Sequence, residues 1–148
     1  MNAKITVAIV SLAVSLAAGA AESSRYIVPP PPSTGPALPF SEAVWSGSTL
    51  YVAGHLGLDS KQQVPADAAT EAKLVLDSVK ATIEKAGLTM DDLVSVTVYC
   101  TDLKLYGAFN EVYKGYFHGN YPARAFIGAS QLVLGAHFEV QGIAAKGK

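Results

Sequence analysis

Two ionisable residues interrupt the apolar C-terminal part of this 148-residue chain, and they are its clearest source of chemistry. Arg124 stands in Asn120-Tyr121-Pro122-Ala123-Arg124-Ala125-Phe126-Ile127-Gly128, and Glu139 in Ala136-His137-Phe138-Glu139-Val140-Gln141-Gly142-Ile143-Ala144-Ala145. Charged side chains are seldom buried in such stretches unless they are paired or used. A guanidinium is a planar fork that grips a carboxylate through two charge-assisted hydrogen bonds. A carboxylate can take a proton from water. The bland alternative is an ion pair between the two, holding a hairpin or a subunit contact.

Both residues fall on strand-like segments, about Arg124 to Ser130 and Ala136 to Ala144. If they lie opposite each other on antiparallel strands, their side chains share a face and approach closely. A two-residue shift leaves them diagonal neighbours, and a one-residue slip separates them. The sequence leaves that register open. The elements that must position them are easier to read. Phe40 to Trp45 and Thr49 to Gly54 are β-prone runs around Ser46-Gly47-Ser48, which predicts a hairpin. Between Ala66 and Ala86, apolar Ala69, Ala72, Leu76, Val79, Ile83 and Ala86 recur at three- and four-residue steps, with Lys73, Asp77, Lys80 and Glu84 on the other face. This predicts a helix that Gly87 ends. Leu93 to Cys100 reads as a valine-rich strand, and Asp102 can cap a second helix whose apolar face takes Leu105, Phe109, Val112, Tyr113, Tyr116 and Phe117. The order ββαβαββ predicts an α+β domain, a mixed β-sheet with both helices available to cover one face.

The N-terminal residues 1–20 carry Lys4, an apolar run from Ile5 to Ala18 and an Ala18-Gly19-Ala20 cleavage pattern, the order of a secretory signal peptide. The run is shorter than the ~20 residues a membrane span needs. The expectation is a soluble exported protein, periplasmic or secreted, with no membrane contact after cleavage. Removing 20 of 148 residues leaves 128, enough for one compact domain. Residues 21–38 form a leader with Pro29-Pro30-Pro31-Pro32 and Pro36; with Pro39 these forbid a helix and favour an extended tether, a proline-rich ligand for a partner groove being the other reading. Residues 39–148 make the domain. The full chain has 11 Lys+Arg against 12 Asp+Glu, and loss of Lys4 leaves 10 against 12, with no basic stripe to suggest nucleic acid. Cys100 is the single cysteine, so no intrachain disulfide forms; its alternation with valines marks it as a small core residue. His55, His118 and His137 have no metal-ligand spacing, so no metal site is expected.

From Leu38 to Ala145 the chain resembles the Rid family (YjgF-type reactive intermediate deaminases). The matching pieces are Leu38-Pro39-Phe40-Ser41, Gly47 with Leu50-Tyr51-Val52-Ala53-Gly54, Ala86-Gly87-Leu88, Val96-Thr97-Val98-Tyr99 before Asp102-Leu103, Phe109-Asn110-Glu111-Val112-Tyr113, Pro122-Ala123-Arg124, and Glu139 before Ile143-Ala144. Their order and spacing together carry the resemblance. It implies a chorismate-mutase-like fold, a homotrimer with ligand pockets between subunits, and hydrolysis of reactive 2-enamine/2-imine acids such as 2-aminoacrylate to 2-keto acids and ammonia without a cofactor. By resemblance Arg124 anchors the substrate's acid group, Glu139 handles water or the leaving nitrogen, and Phe126, Phe40, Gly54 and Asn110 line the pocket.

Several positions differ from the family's usual residues. Ala125 and Phe126 stand where many active members have Ser and Cys, and Phe40 where many have Tyr. His55 replaces a common Gln and Gln141 a common Glu. A non-catalytic trimer that binds small carboxylates is the alternative these differences favour, and a structural partner reached through the leader is a third. The chain is 50% hydrophobic and 16% charged, more apolar surface than two helices readily hide, which also points to assembly.

Overall fold

The computed structural model describes residues 25–31 and 35–147. The expected signal segment, residues 1–20, lies outside the described residues. Eight main elements follow in order: β1 (Arg25–Ile27), β2 (Ala43–Ser46), β3 (Thr49–Leu56), α1 (Ala68–Lys85), β4 (Leu93–Cys100), α2 (Tyr106–Tyr113), β5 (Ala123–Gly128) and β6 (Phe138–Ala145). Short 3-10 turns at Leu103–Leu105 and Lys114–Tyr116 flank α2.

Local chemistry explains most boundaries. Asp67 caps α1, its Oδ2 accepting from Thr70 N at 2.8 Å and Thr70 Oγ1 at 2.7 Å. At the other end Gly87, at φ +80°, lets its own N–H reach Glu84 O and Leu88 N reach Ile83 O, the paired bonds of a Schellman motif. Gly47, at φ +57°, takes the left-handed position of the two-residue turn that closes β2 on β3. The second helix is shorter than its apolar pattern predicts. Its regular part stops at Tyr113, and residues from Lys114 to Tyr116 tighten into a 3-10 turn around Gly115.

One six-stranded sheet carries the order β1-β2-β3-β6-β4-β5. Only β4 and β5 pair in parallel, joined by the crossover through α2; the other neighbours are antiparallel. Both helices cover one face. There Trp45, Leu50, Val52, Val96, Val98, Phe138 and Val140 pack against Val75, Leu76, Val79 and Ile83 of α1 and Phe109 of α2. Cys100 is fully buried in this core, and burial pushes its thiol pKa up. No described element covers the opposite face, where Tyr51 and Ile127 are 51% and 43% exposed.

The leader is more than a tether. Arg25–Ile27 adds an edge strand to β2, with Ile27 against the core and the Arg25 guanidinium 5.2 Å from the Trp45 ring centre. These residues precede the first proline, so their N–H groups remain free to pair. No helix among the described residues is long and apolar enough to cross a membrane.

Candidate active site

The two residues that stand out in the sequence do not meet within one chain. Strand β4 lies between β5 and β6: Arg124 is in register with Val96 of β4, and Glu139 with Tyr99. Val96 faces the helices, whereas Tyr99, between buried Val98 and Cys100, faces the open side. Arg124 and Glu139 therefore point to opposite faces, across two strand spacings and three residues of strand, roughly 14 Å at about 4.8 Å per spacing and 3.3 Å per residue. The register question that the sequence leaves open has a nonlocal answer: the two strands are successive in the chain but not adjacent in the sheet. An intrachain ion pair between these residues is ruled out.

Arg124 forms the centre of one half-site. Its Nη2 donates to Asn110 Oδ1 at 2.7 Å, and its Cζ lies 4.5 Å from the Tyr113 ring centre and 5.8 Å from those of Tyr106 and Phe126. Tyr106, Asn110 and Tyr113 sit at i, i+4 and i+7 on α2, so one stripe of the helix holds the guanidinium from above. Among the described residues no carboxylate pairs with it. A cleft of about 400 Å³ opens beside it, between Asn110, Tyr113, Tyr121 and Pro122. Phe126 turns away from that cleft. Its ring packs edge-on against Phe109 at 5.5 Å and Tyr106 at 4.9 Å, forming the wall behind Arg124 rather than the pocket surface.

Tyr113 and Tyr106 differ in a way the sequence does not reveal. Tyr113 is 4% exposed, its hydroxyl is buried without a partner among the described residues, and burial pushes its phenol pKa up to about 12. It serves as a neutral platform under the cation. Tyr106 is 47% exposed; a hydrogen bond from Asn110, then the Arg124 charge, pulls its phenol below the ordinary range.

Glu139, half-buried, forms the second half-site with Gly54. The β3–β6 register shifts between Val52 and His55, a bulge that places Gly54 against Glu139. A β-carbon at Gly54 would overlap Glu139 Oε1, so glycine is what leaves room for the carboxylate. Phe40, 52% exposed, lies in the adjoining cleft with Leu38, Gly54 and His55. His55 Nδ1 bonds Ser78 Oγ at 2.8 Å, and burial lowers its pKa.

The histidines are held apart. His55 is on Ser78, His118 on Asp91, and His137 on Glu71. Glu71 is the residue that the sequence reading misses. It is fully buried on α1 and receives His137 N at 2.7 Å, Phe138 N at 2.9 Å and the His137 ring at 2.7 Å. Its position four residues before Val75 and eight before Val79 puts it on the buried stripe, the one signal that could have found it. A cleft of about 580 Å³ between α1 and the Lys114–Tyr116 turn takes in His118 and Asp91 but neither Arg124 nor Glu139. Its charges pair with one another, Lys73 with Asp77 and Lys80 with Glu84.

Comparison with known proteins fits this geometry. The family described as endoribonuclease L-PSP matches residues 32–146. A rat protein named 2-iminobutanoate/2-iminopropanoate deaminase is 39% identical over 110 residues, 73% of this chain and 80% of its own. The human protein of that name is 33% identical over 125 residues, covering 83% and 91% of the two chains. Among solved structures, E. coli TdcF with bound serine superposes with a TM-score of 0.73 at 30% identity, covering 82% of this chain and 99% of TdcF. RidA from the Antarctic bacterium Psychrobacter sp. PAMC 21119 gives 0.72 at 30%, with coverage of 82% and 99%. With its mixed sheet, its two helices on one face and a family match across most of its length, the chain belongs to the endoribonuclease L-PSP family, the Rid family of YjgF-type proteins.

Proposed function

We propose that this protein hydrolyses 2-enamine and 2-imine acids to 2-keto acids and ammonia. The observation that carries the reading is the Arg124 guanidinium, held open by Asn110 and Tyr113 with no carboxylate partner among the described residues, in a chain 39% identical to a named imine deaminase. The serine bound in TdcF is a small carboxylate of the size such a fork accepts.

Because Arg124 and Glu139 lie on opposite faces, a shared substrate requires that they come from different copies. We therefore place the site between subunits of a homotrimer, built on the uncovered sheet face that carries Tyr51 and Ile127. The iminium acid sits with its carboxylate on Arg124. Glu139 of the neighbouring copy takes a proton from water as the water oxygen bonds to C2. It returns that proton to the nitrogen of the resulting carbinolamine, then takes the hydroxyl proton as the C–N bond breaks and the C2–O bond becomes the keto carbonyl; ammonia leaves with the keto acid and carries that last proton away as ammonium. No cofactor is needed for this sequence of steps, and a 2-enamine joins it once protonated at C3.

Purified protein should release keto acid and ammonia from enzymatically generated 2-aminoacrylate, and light scattering should give a trimer mass. Arg124→Lys keeps the charge but loses the fork, so KM should rise about 10-fold or more while the trimer survives. Keto-acid binding without any turnover would instead establish the non-catalytic trimer, the reading favoured by the missing hydroxyl at Phe40. A monomer mass at micromolar concentration would remove the shared site.

We further propose export, supported by the order of charge, apolar run and small residues in positions 1–20. Intact-mass measurement of protein from the native source should show cleavage after Ala20. Recovery of the full-length chain would reject export.

A further inference from the structure

The Arg124 half-site contains a hydroxyl to which the reaction outlined above gives no role. Tyr106 begins α2 one turn before Asn110, its ring centre 5.8 Å from Arg124 Cζ and edge-on to Phe126 at 4.9 Å. Those contacts fix the ring beside the guanidinium. Its 47% exposure leaves it open to a ligand, in contrast to the buried hydroxyl of Tyr113.

The hydrogen-bond inventory fixes the direction of what remains. Arginine has only donors, so the Asn110 oxygen must face Arg124 Nη2, as the 2.7 Å bond shows. The Asn110 amide nitrogen is then the donor side. That amide nitrogen and the Arg124 guanidinium are both donors beside the Tyr106 hydroxyl, and together they hold its phenol below the ordinary range. The Tyr106 hydroxyl therefore has donors on its protein side, and at 47% exposure its O–H is left to meet an acceptor from outside. The chain Arg124, Asn110, Tyr106 presents a guanidinium fork and, next to it, one free hydroxyl proton.

We propose that Tyr106 is a substrate-binding residue whose O–H donates a hydrogen bond to the carboxylate held by Arg124. A carboxylate has two oxygens and about four lone-pair sites, and a bidentate arginine uses only two of them. The phenol supplies a third, charge-assisted bond from the flank of the fork. This makes the half-site selective for a planar acid group over an amide or ester, which offers a single carbonyl acceptor and carries no charge.

The inference rests on the deaminase reading in which Arg124 anchors the substrate acid, and the experiment separates the two. Calorimetry with pyruvate and 2-ketobutyrate, together with steady-state turnover of 2-aminoacrylate, is run on the full chain, on Tyr106→Phe, on Arg124→Lys and on the double variant. Tyr106→Phe deletes one exposed hydroxyl and keeps the ring contacts, so fold and trimer mass are expected to be unchanged. Keto-acid Kd and KM should each rise about tenfold, the effect of one hydrogen bond to a charged group, with kcat within about threefold. In the Arg124→Lys background the same change should matter several-fold less, because the carboxylate is no longer held beside the phenol. Binding and KM in Tyr106→Phe equal to those of the unaltered protein would overturn the inference and leave the deaminase reading standing. If the unaltered protein binds neither keto acid, the reading of Arg124 falls and this one with it.

Discussion

Glu139→Gln should lower kcat by a factor on the order of 10²–10⁴ and leave KM within a few-fold. The change is nearly isosteric, and the space for it exists because Gly54 has no β-carbon against the carboxylate. The amide can still orient a water by hydrogen bonding. What it lacks is the capacity to take the proton that the attacking water must lose and to hand it to the departing nitrogen. Arg124→Lys makes the opposite pattern, since it acts on the bound acid before any proton moves. The measurement is keto-acid release from 2-aminoacrylate for each variant, with the trimer mass confirmed. Turnover by Glu139→Gln at the rate of the unaltered protein would mean that the base is another group. Because the two residues come from different copies in the proposed site, mixing the two variants offers a second check: at substrate concentrations well below the raised KM, mixed trimers, some of whose sites combine an unaltered Arg124 with an unaltered Glu139, should exceed the mean activity of the two separate trimers.

The parts of this molecule that are legible in the sequence are those set by local periodicity. The valine alternation from Leu93 to Cys100 marks β4 at both ends, and the three- and four-residue steps before Gly87 mark α1. Face assignment also survives, since a period of two puts Arg124 and Phe126 on one side of β5. Strand order does not, because it is decided by long-range pairing. β6 inserts between β3 and β4, so the two strands nearest in sequence to the chemistry end up separated. That single fact converts an apparent ion pair into two half-sites. The phenol of Tyr113 reads only as an apolar helix position, and that of Tyr106 does not stand out at all, until β5 is seen to run beneath α2. The edge strand Arg25–Ile27 is masked by the prolines that follow it.

Glu71 escaped for a related reason, being one acidic residue at the start of a helix with charged residues elsewhere, and its removal should have the largest effect on stability. The side chain is fully buried and spans two elements: α1 provides it, and the entry to β6 donates His137 N, Phe138 N and the His137 ring to it. A backbone that has just left an irregular loop needs partners for its N–H groups, and Glu71 supplies them where no strand does. Glu71→Ala would leave the Phe138 N–H buried and unpaired, take the ring's anchor away and open a cavity beside Gly57, whose missing β-carbon lets the two segments touch. The expected loss is about 3–5 kcal/mol, or roughly 10–15 °C in Tm. Glu71→Gln keeps the volume and one oxygen that can accept both N–H groups, while its amide can donate to a neutral His137 ring; about 1–2 kcal/mol is expected. Urea titration of both variants, followed by tryptophan fluorescence from buried Trp45, gives the two values. If Glu71→Ala costs under about 1 kcal/mol, water replaces the carboxylate and the entry to β6 is not pinned from α1. Glu139 follows Phe138 directly, so a true loss of this anchor should also broaden the placement of the carboxylate that the proposed reaction uses. Activity should then fall in Glu71→Ala at temperatures where the protein is still folded and return in Glu71→Gln.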